Sequence, residues 1–337
     1  MARRRRPARR LLTVSLAILA VILGGVAAAA YGSYRWAPLG PPGHTGPNAV
    51  WAAHHWVGQS QVPADYDGLV AQLDRNAITD IFFHVGPLTG AGAIPPQLYP
   101  NAADLVREVK QRNPALRLQA WIGQVEKQGG GPLDLSDPQT RAAIVATAET
   151  FLDLGFDGIH YNIEPVRSGN AHLLALLDDT KALTDSRGKI LSMAADEMSL
   201  FPGADALAGM MSPRASLWSR AYYQQVADRV DQVAVMMYDT MSPTDWIFAT
   251  LVAWETNRLL SVVGRDTTLF MGVPTYEERR PGFRPEAENM VSGLRGVTFG
   301  LRTAGEAAAR PFGVAVYAHW TTDPDEWRTF RRDWLGR

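Results

Sequence analysis

The sequence has no cysteine, so no disulfide can staple it. A chain of 337 residues does not require one, because a core of that size sustains itself. It also lacks an excess of positive charge. Of the 33 basic residues, seven are the arginines up to Arg35; the 26 that remain face 34 acidic residues, a net charge of −8 from Trp36 onward. A nucleic-acid role is disfavoured, since phosphate binding needs a basic face. No glycine-rich phosphate fingerprint follows the first β-type run, where AAHHWVGQS stands instead, and with it goes the signature of a dinucleotide-binding open sheet. Nor does any pair of histidines share a face in the H-x-H or H-E-x-x-H manner. His54 and His55 are adjacent and face oppositely, and His84, His160 and His319 fall on separate strands. No metal site and no cofactor is expected.

The N-terminus differs from the rest. Arg3, Arg4, Arg5, Arg6, Arg9 and Arg10 precede an uncharged stretch at 11–34, long enough for the roughly 20 residues that a spanning helix needs. An uncleaved signal anchor is expected there; the alternative is a signal peptide cut after Ala30, with Ala28 and Ala30 as the small residues a peptidase prefers. Either way the arginines of 1–10 stay in the cytoplasm and everything after Arg35 lies across the membrane. APLGPPGHTGPN within 35–48 reads as a stiff linker, and the folded domain as 49–337.

From residue 49, short β-type runs alternate with amphipathic stretches of helical period. Strands are expected at 49–54, 80–84, 116–122, 158–164, 190–195, 232–238, 268–273 and 313–319. Between them, Asp137 with Pro138 at the first helical position opens a helix to about 154. Eight β/α units point to a (β/α)8 TIM barrel of the α/β class, whose chemistry belongs at the C-terminal ends of the strands.

The fourth strand, within FDGIHYNIEP, is polar where a buried parallel strand should be apolar. Strand alternation puts His160, Asn162 and Glu164 on the inward face and Ile159, Tyr161 and Ile163 on the other. Glu164 then ends at the rim above an apolar interior, an environment that raises a carboxyl pKa toward the range of a general acid. A purely structural reading is also open, with His160 and Asn162 in a buried network and Glu164 capping the next helix.

The stretch resembles the D-G-x-D-x-D-x-E signature of the glycoside hydrolase family 18 chitinases, matched by Asp157, Gly158 and Glu164, with His160 and Asn162 at two of its acidic positions. VMMYD is similar to the family's sixth-strand M-x-Y-D pattern through Met236, Tyr238 and Asp239, and the eighth strand leads to Trp320, where the family places a tryptophan under the sugar. The Asn two residues before the Glu also resembles the family 85 endo-N-acetylglucosaminidases, which work through a neutral oxazoline-type intermediate.

The resemblance implies an extracytoplasmic hydrolase of N-acetylglucosamine-containing oligo- or polysaccharides, held to the membrane by the N-terminal helix or secreted. By the substrate-assisted route the sugar's acetamido oxygen is the nucleophile. Glu164 would be acid then base, Asn162 would orient the acetamido group, Tyr238 would hold its oxygen and Trp320 would stack under the ring. Substrate contacts are further expected from Asp157, His160, Met236, Asp239 and Trp121, with His160 donating to Asn162. Trp56 and Trp246 are alternative stacking surfaces. Two other functions stay open: a glycan-binding or wall-associated barrel without turnover, and a two-carboxylate retaining glycosidase with Glu277, Glu278, Asp196 or Glu197 as second carboxyl. The short loop after strand seven, TYEERRPGFRPE, implies an open groove.

Overall fold

A computed structural model describes residues 21, 24–32, 34–35, 45–201, 203–211, 216–279 and 283–337. The cytoplasmic segment expected at 1–10, most of the apolar span expected at 11–34 and most of the linker expected at 35–48 lie outside the described residues. Among the described residues no helix is long and apolar enough to cross a membrane.

Eight parallel strands close into a barrel in chain order. They are β1 (Ala49–Ala52), β2 (Asp80–Pro87), β3 (Arg117–Val125), β4 (Gly158–Glu164), β5 (Ile190–Ala195), β6 (Gln232–Val235), β7 (Thr268–Pro274) and β8 (Phe312–Tyr317). Pairing of Ala49 with Ala315 and of Val50 with Val316 joins the first strand to the last. All eight expected strands form, and β4 and β5 have the expected bounds. Three expected strands end early, β1, β6 and β8, the last at Tyr317 rather than His319. After Ala52 the chain turns into a single helical turn at His55–Gly58. After Val235 it leaves the ladder toward Asp239 and Met241, both with φ near +60°, a left-handed conformation that no strand contains.

Alternation along the strands separates two apolar layers. Val50, Ile81, Leu118, Ile159, Leu191, Val233, Leu269 and Val314 face outward into the large core shared with the surrounding helices. One of these helices, Pro138–Asp153, opens as the sequence indicates: the Asp137 carboxylate accepts from the backbone of Gln139 and Thr140, with Pro138 behind it. The inner layer is smaller and contains Ala49, Trp51, Phe82, Trp121, Ala234, Phe270 and Ala315.

Threaded through that inner layer is a chain of hydrogen bonds. Trp51 Nε1–H donates to His160 Nε2 at 3.0 Å, so the proton of the neutral ring sits on Nδ1 and is given to Ser192 Oγ at 2.7 Å. Ser192 Oγ donates to Gln119 Oε1 at 2.6 Å, and Gln119 Nε2 donates to Gln232 Oε1 at 2.7 Å and to Asp80 Oδ1 at 3.1 Å. Gln232 Nε2 donates to Asp80 Oδ1 at 2.9 Å, and Arg117 closes the chain as an ion pair with Asp80. The His160 ring also stacks on Phe82 at 3.8 Å. The expected hydrogen bond from His160 to Asn162 is not made, because both ring nitrogens are committed to this network and the side chain is fully buried. Burial lowers the His160 pKa to about 3.

His160→Leu leaves the Trp51 N–H and the Ser192 hydroxyl without their partner and should cost roughly 2–4 kcal/mol in chemical denaturation at pH 7. The folded state holds His160 neutral while the unfolded chain takes up its proton near pH 6.5, so the wild-type protein loses this contribution as pH falls from 6.5 toward 3. The difference between the two proteins should therefore shrink steadily on acidification; a constant difference would contradict a neutral buried ring.

Candidate active site

Glu164 is the last residue of β4 and stands partly exposed at the C-terminal mouth. Its carbonyl accepts from Glu126 N at 2.9 Å, tying it to the end of β3. Two residues below, Asn162 pairs with Gly123, and a Cβ at Gly123 would lie 2.6 Å from the Asn162 carbonyl oxygen, so glycine is what lets β3 approach here. The side-chain oxygen of Asn162 is buried and accepts no hydrogen bond. It is an acceptor in search of an N–H group.

Tyr238 faces Glu164 from the segment after β6. Its ring stacks on Tyr317 at 4.8 Å and meets Tyr276 edge-on at 6.1 Å. Burial, with the neighbouring Tyr317 and the Glu164 charge, holds the phenol well above its ordinary pKa, so it is a donor at every physiological pH. Tyr276 Oη donates to Asp239 Oδ1 at 2.7 Å, and Glu288 accepts from the backbone of Thr240 and Ser242, so the bent segment that carries Tyr238 is pinned on both sides.

Beside Glu164, at the end of β5, Asp196 is pushed up to about 8 by burial and by the Glu164 charge, against the pull of Ser216 and Trp218. Ser216 Oγ and Trp218 Nε1 both donate to the Val166 carbonyl, at 2.6 and 2.7 Å, which fastens the chain after β4 to the chain after β5. Glu255, on the helix Asp245–Leu260, accepts from Met198 N at 2.7 Å and is raised to about 8 by burial. Glu164, Asp196, Glu197, Met236, Tyr238, Asp239 and Glu255 line one cavity of about 460 Å³.

The structure thus brings together Glu164, Tyr238, Met236 and Asp239, with Asn162 directly below. Other expected contacts lie elsewhere. Asp157 precedes β4 at its opposite end, about 20 Å from Glu164 by strand rise, where it pairs with Lys110 at 2.6 Å and accepts from Leu118 N. It belongs to the barrel floor. His160 is sealed inside the network described above. Trp121 is buried among the inner layer, edge-on to His84 at 4.8 Å. Trp56 is buried against Tyr66, and Trp246 begins the helix Asp245–Leu260 edge-on to Tyr31. Trp320 is 45% exposed and touches Tyr317 edge-on, one ring removed from Tyr238. Glu277 and Glu278 are exposed and do not line the cavity. Glu255, Trp254 and Glu288 had no place in the sequence reading; the signal available was a carboxylate inside the apolar run ATLVAWETNRLL.

No family model matches the chain, and no curated protein matches it in sequence. Solved structures do match in shape. A group IV chitinase from Ostrinia furnacalis superposes with a TM-score of 0.57 at 15% identity, over 87% of this chain and 100% of that one. A class V chitinase from Pseudomonas fluorescens Pf-5 gives 0.57 at 16% identity, over 86% and 99%. The spore cortex-lytic enzyme SleL of Bacillus megaterium QM B1551 gives 0.56 at 12% identity, over 86% and 74%. The barrel shares its fold with these enzymes. At such identities the likeness is one of fold.

Glu255 is protonated in the folded chain near neutral pH and ionised when unfolded, so its burial costs stability as pH rises from about 4.5 to 8. Glu255→Gln keeps the acceptor for Met198 N and removes that cost. It should stabilise the protein by roughly 2–3 kcal/mol at pH 7 and by little at pH 4.5. Equal melting temperatures of variant and wild type at both pH values would show that Glu255 is not held protonated.

Proposed function

We propose that the chain is a glycoside hydrolase of family 18 type, acting on N-acetylglucosamine-containing glycans by substrate assistance, with Glu164 as acid and then base. The observation that carries this is the unsatisfied Asn162 oxygen two residues below Glu164 on β4, together with the neutral Tyr238 phenol that lines the cavity with Glu164. An acetamido group has one N–H to give and one carbonyl oxygen to be held, and these two side chains offer one acceptor and one donor. With the N–H on Asn162 and the oxygen on Tyr238, that oxygen is aimed at the anomeric carbon while Glu164 protonates the departing oxygen. The C–O bond to the leaving sugar breaks as the acetamido oxygen bonds to the anomeric carbon. Water activated by Glu164 then reopens the ring with retention. Asn162 orients the amide through its oxygen without taking the N–H proton, so the intermediate keeps that proton and is oxazolinium-like.

The neighbours described as chitinases and as a spore cortex-lytic enzyme support a saccharide substrate. The two-carboxylate alternative is weaker. Asp196, the carboxyl beside Glu164, is held protonated through neutral pH and is a poor nucleophile in that state. The arginines followed by an apolar run support a barrel on the outer side of a membrane, held there by the N-terminal segment.

The full chain should release products from N-acetylglucosamine oligomers, peptidoglycan or a high-mannose N-glycan, read by mass spectrometry. Glu164→Gln should lower kcat by about 10²–10⁴-fold, and Tyr238→Phe by about 10²-fold with KM little changed. Binding of these glycans with no cleavage by the wild-type chain would instead favour a glycan-binding barrel.

A further inference from the structure

The cavity around Glu164 does not end at the residues that act on the bond. A second cavity, of about 220 Å³, lies where the chain after β4 meets the chain after β5, and the two cavities share Ser216 and Leu217 in their walls. Arg167, Ser168, Asp205 and Gly209 also line the second cavity. Among the described residues that line either cavity, Arg167 is the one cation. It follows Glu164 by three residues, at most about 11 Å along an extended chain, and so stands within the span of neighbouring sugar units.

An exposed arginine is ordinarily a solvated surface residue. Three observations set Arg167 apart. Its backbone is tied on both sides: the Val166 carbonyl accepts from Ser216 Oγ and Trp218 Nε1 at 2.6 and 2.7 Å, and Ser168 Oγ accepts from Ser219 N at 3.0 Å and donates to Ser219 Oγ at 2.9 Å. Its head group rests against a glycine, since a Cβ on Gly209 of the helix Ala204–Met211 would lie 3.7 Å from Arg167 Cζ. And among the described residues its guanidinium makes neither an ion pair nor a hydrogen bond, although Asp205 lines the same cavity.

A guanidinium is a planar fork of donors that matches the two oxygens of a carboxylate. Here the fork is held in a cavity joined to the catalytic one, with its donors unspent. A chain of N-acetylglucosamine alone brings no anion to meet it. The carboxyls of the neighbouring cavity oppose an incoming anion only weakly near neutral pH, because burial pushes Asp196 and Glu255 up to about 8.

We infer that Arg167 and its cavity form a subsite for a carboxylate-bearing sugar next to the N-acetylglucosamine on which Glu164 acts. The inference rests on the hydrolase reading, because the two joined cavities must receive neighbouring units of one chain. The carboxylate can come from a lactyl ether on an amino sugar or from a uronic acid; both offer the same two oxygens to the fork. Asp205 remains an acceptor for a hydroxyl or amide N–H of the same unit.

The test uses the full chain with two oligomer series, N-acetylglucosamine alternating with N-acetylmuramic acid and N-acetylglucosamine alternating with glucuronic acid, each compared with its own carboxamide. The expected result in at least one series is a kcat/KM about tenfold or more higher for the carboxylate than for the carboxamide, carried mainly by KM and shrinking as salt is added. The series that shows it names the source of the carboxylate. Arg167→Gln should bring the ratio toward one, and Arg167→Lys, which keeps the charge and loses the fork, should leave it in between. Gly209→Leu, which crowds the guanidinium from its place, should lower the ratio as well and serves if Arg167→Gln does not fold. Equal cleavage of carboxylate and carboxamide in both series, or a ratio that Arg167→Gln leaves unchanged, overturns the inference and leaves the hydrolase reading intact. If nothing is cleaved, the hydrolase reading fails and calorimetry decides the inference alone. Tighter binding of the carboxylate form, lost in Arg167→Gln, supports it, and equal or absent binding overturns it.

Discussion

Glu164 stands at the mouth of a closed barrel because His160, on the same strand face four residues below, is locked between Trp51 and Ser192. A histidine inside a barrel normally costs the free energy of its lost hydration. Here each ring nitrogen has one partner, the ring lies flat on Phe82, and the network runs on through Gln119 and Gln232 to the Asp80–Arg117 pair. That network joins residues of β1, β2, β3, β4, β5 and β6, so the inward face of β4 cannot rotate without breaking bonds to most of the barrel. The position and orientation of Glu164 follow from it.

The upper half of the cleft obeys a different rule. Below Glu164 the network of Trp51, His160, Ser192, Gln119, Gln232 and Asp80 satisfies its own polar side chains, while the Asn162 oxygen has no partner; beside it the polar groups are carboxyls in each other's company, held protonated by burial. Such an arrangement is unfavourable in the empty protein. It persists because the rigid elements around it, the Val166 tether and the Glu288 cap among them, hold the segments that carry these side chains in place. Strain of this kind gathers where a ligand is received.

How much of this was legible in the sequence varies with distance along the chain. The barrel was, since eight β-type runs with amphipathic spacers leave few other layouts, and so was the face of β4 on which His160, Asn162 and Glu164 lie. The role of His160 was not, because its partners Trp51 and Ser192 come from β1 and β5, and registry between strands 109 and 32 residues apart is set by closure of the barrel. Asp157 misled for a simpler reason. A motif is read as one string, whereas the strand carries its first and last members to opposite ends of the barrel. Glu255 was invisible because a single glutamate in a helix is ordinarily a solvated residue, and only tertiary packing, which brings it against Met198 beyond β5, buries it.

The departures from the family 18 pattern and the crowding of carboxyls can be understood together. In that pattern the carboxyl nearest the acid lies two residues before it on the same strand; here that position is Asn162, and the carboxyl coupled to Glu164 is Asp196, from the next strand. A carboxylate at 162 would add a further negative charge to a site where Asp196 is already pushed up to about 8 partly by Glu164. The neutral amide avoids that repulsion while keeping an acceptor in place. His160 continues the same logic one step deeper, where an anion would face Phe82 and Trp51 with no cation in reach. The carboxyls of the site have in effect moved from the inside of β4 to the wall beyond β5, where they line the cavity.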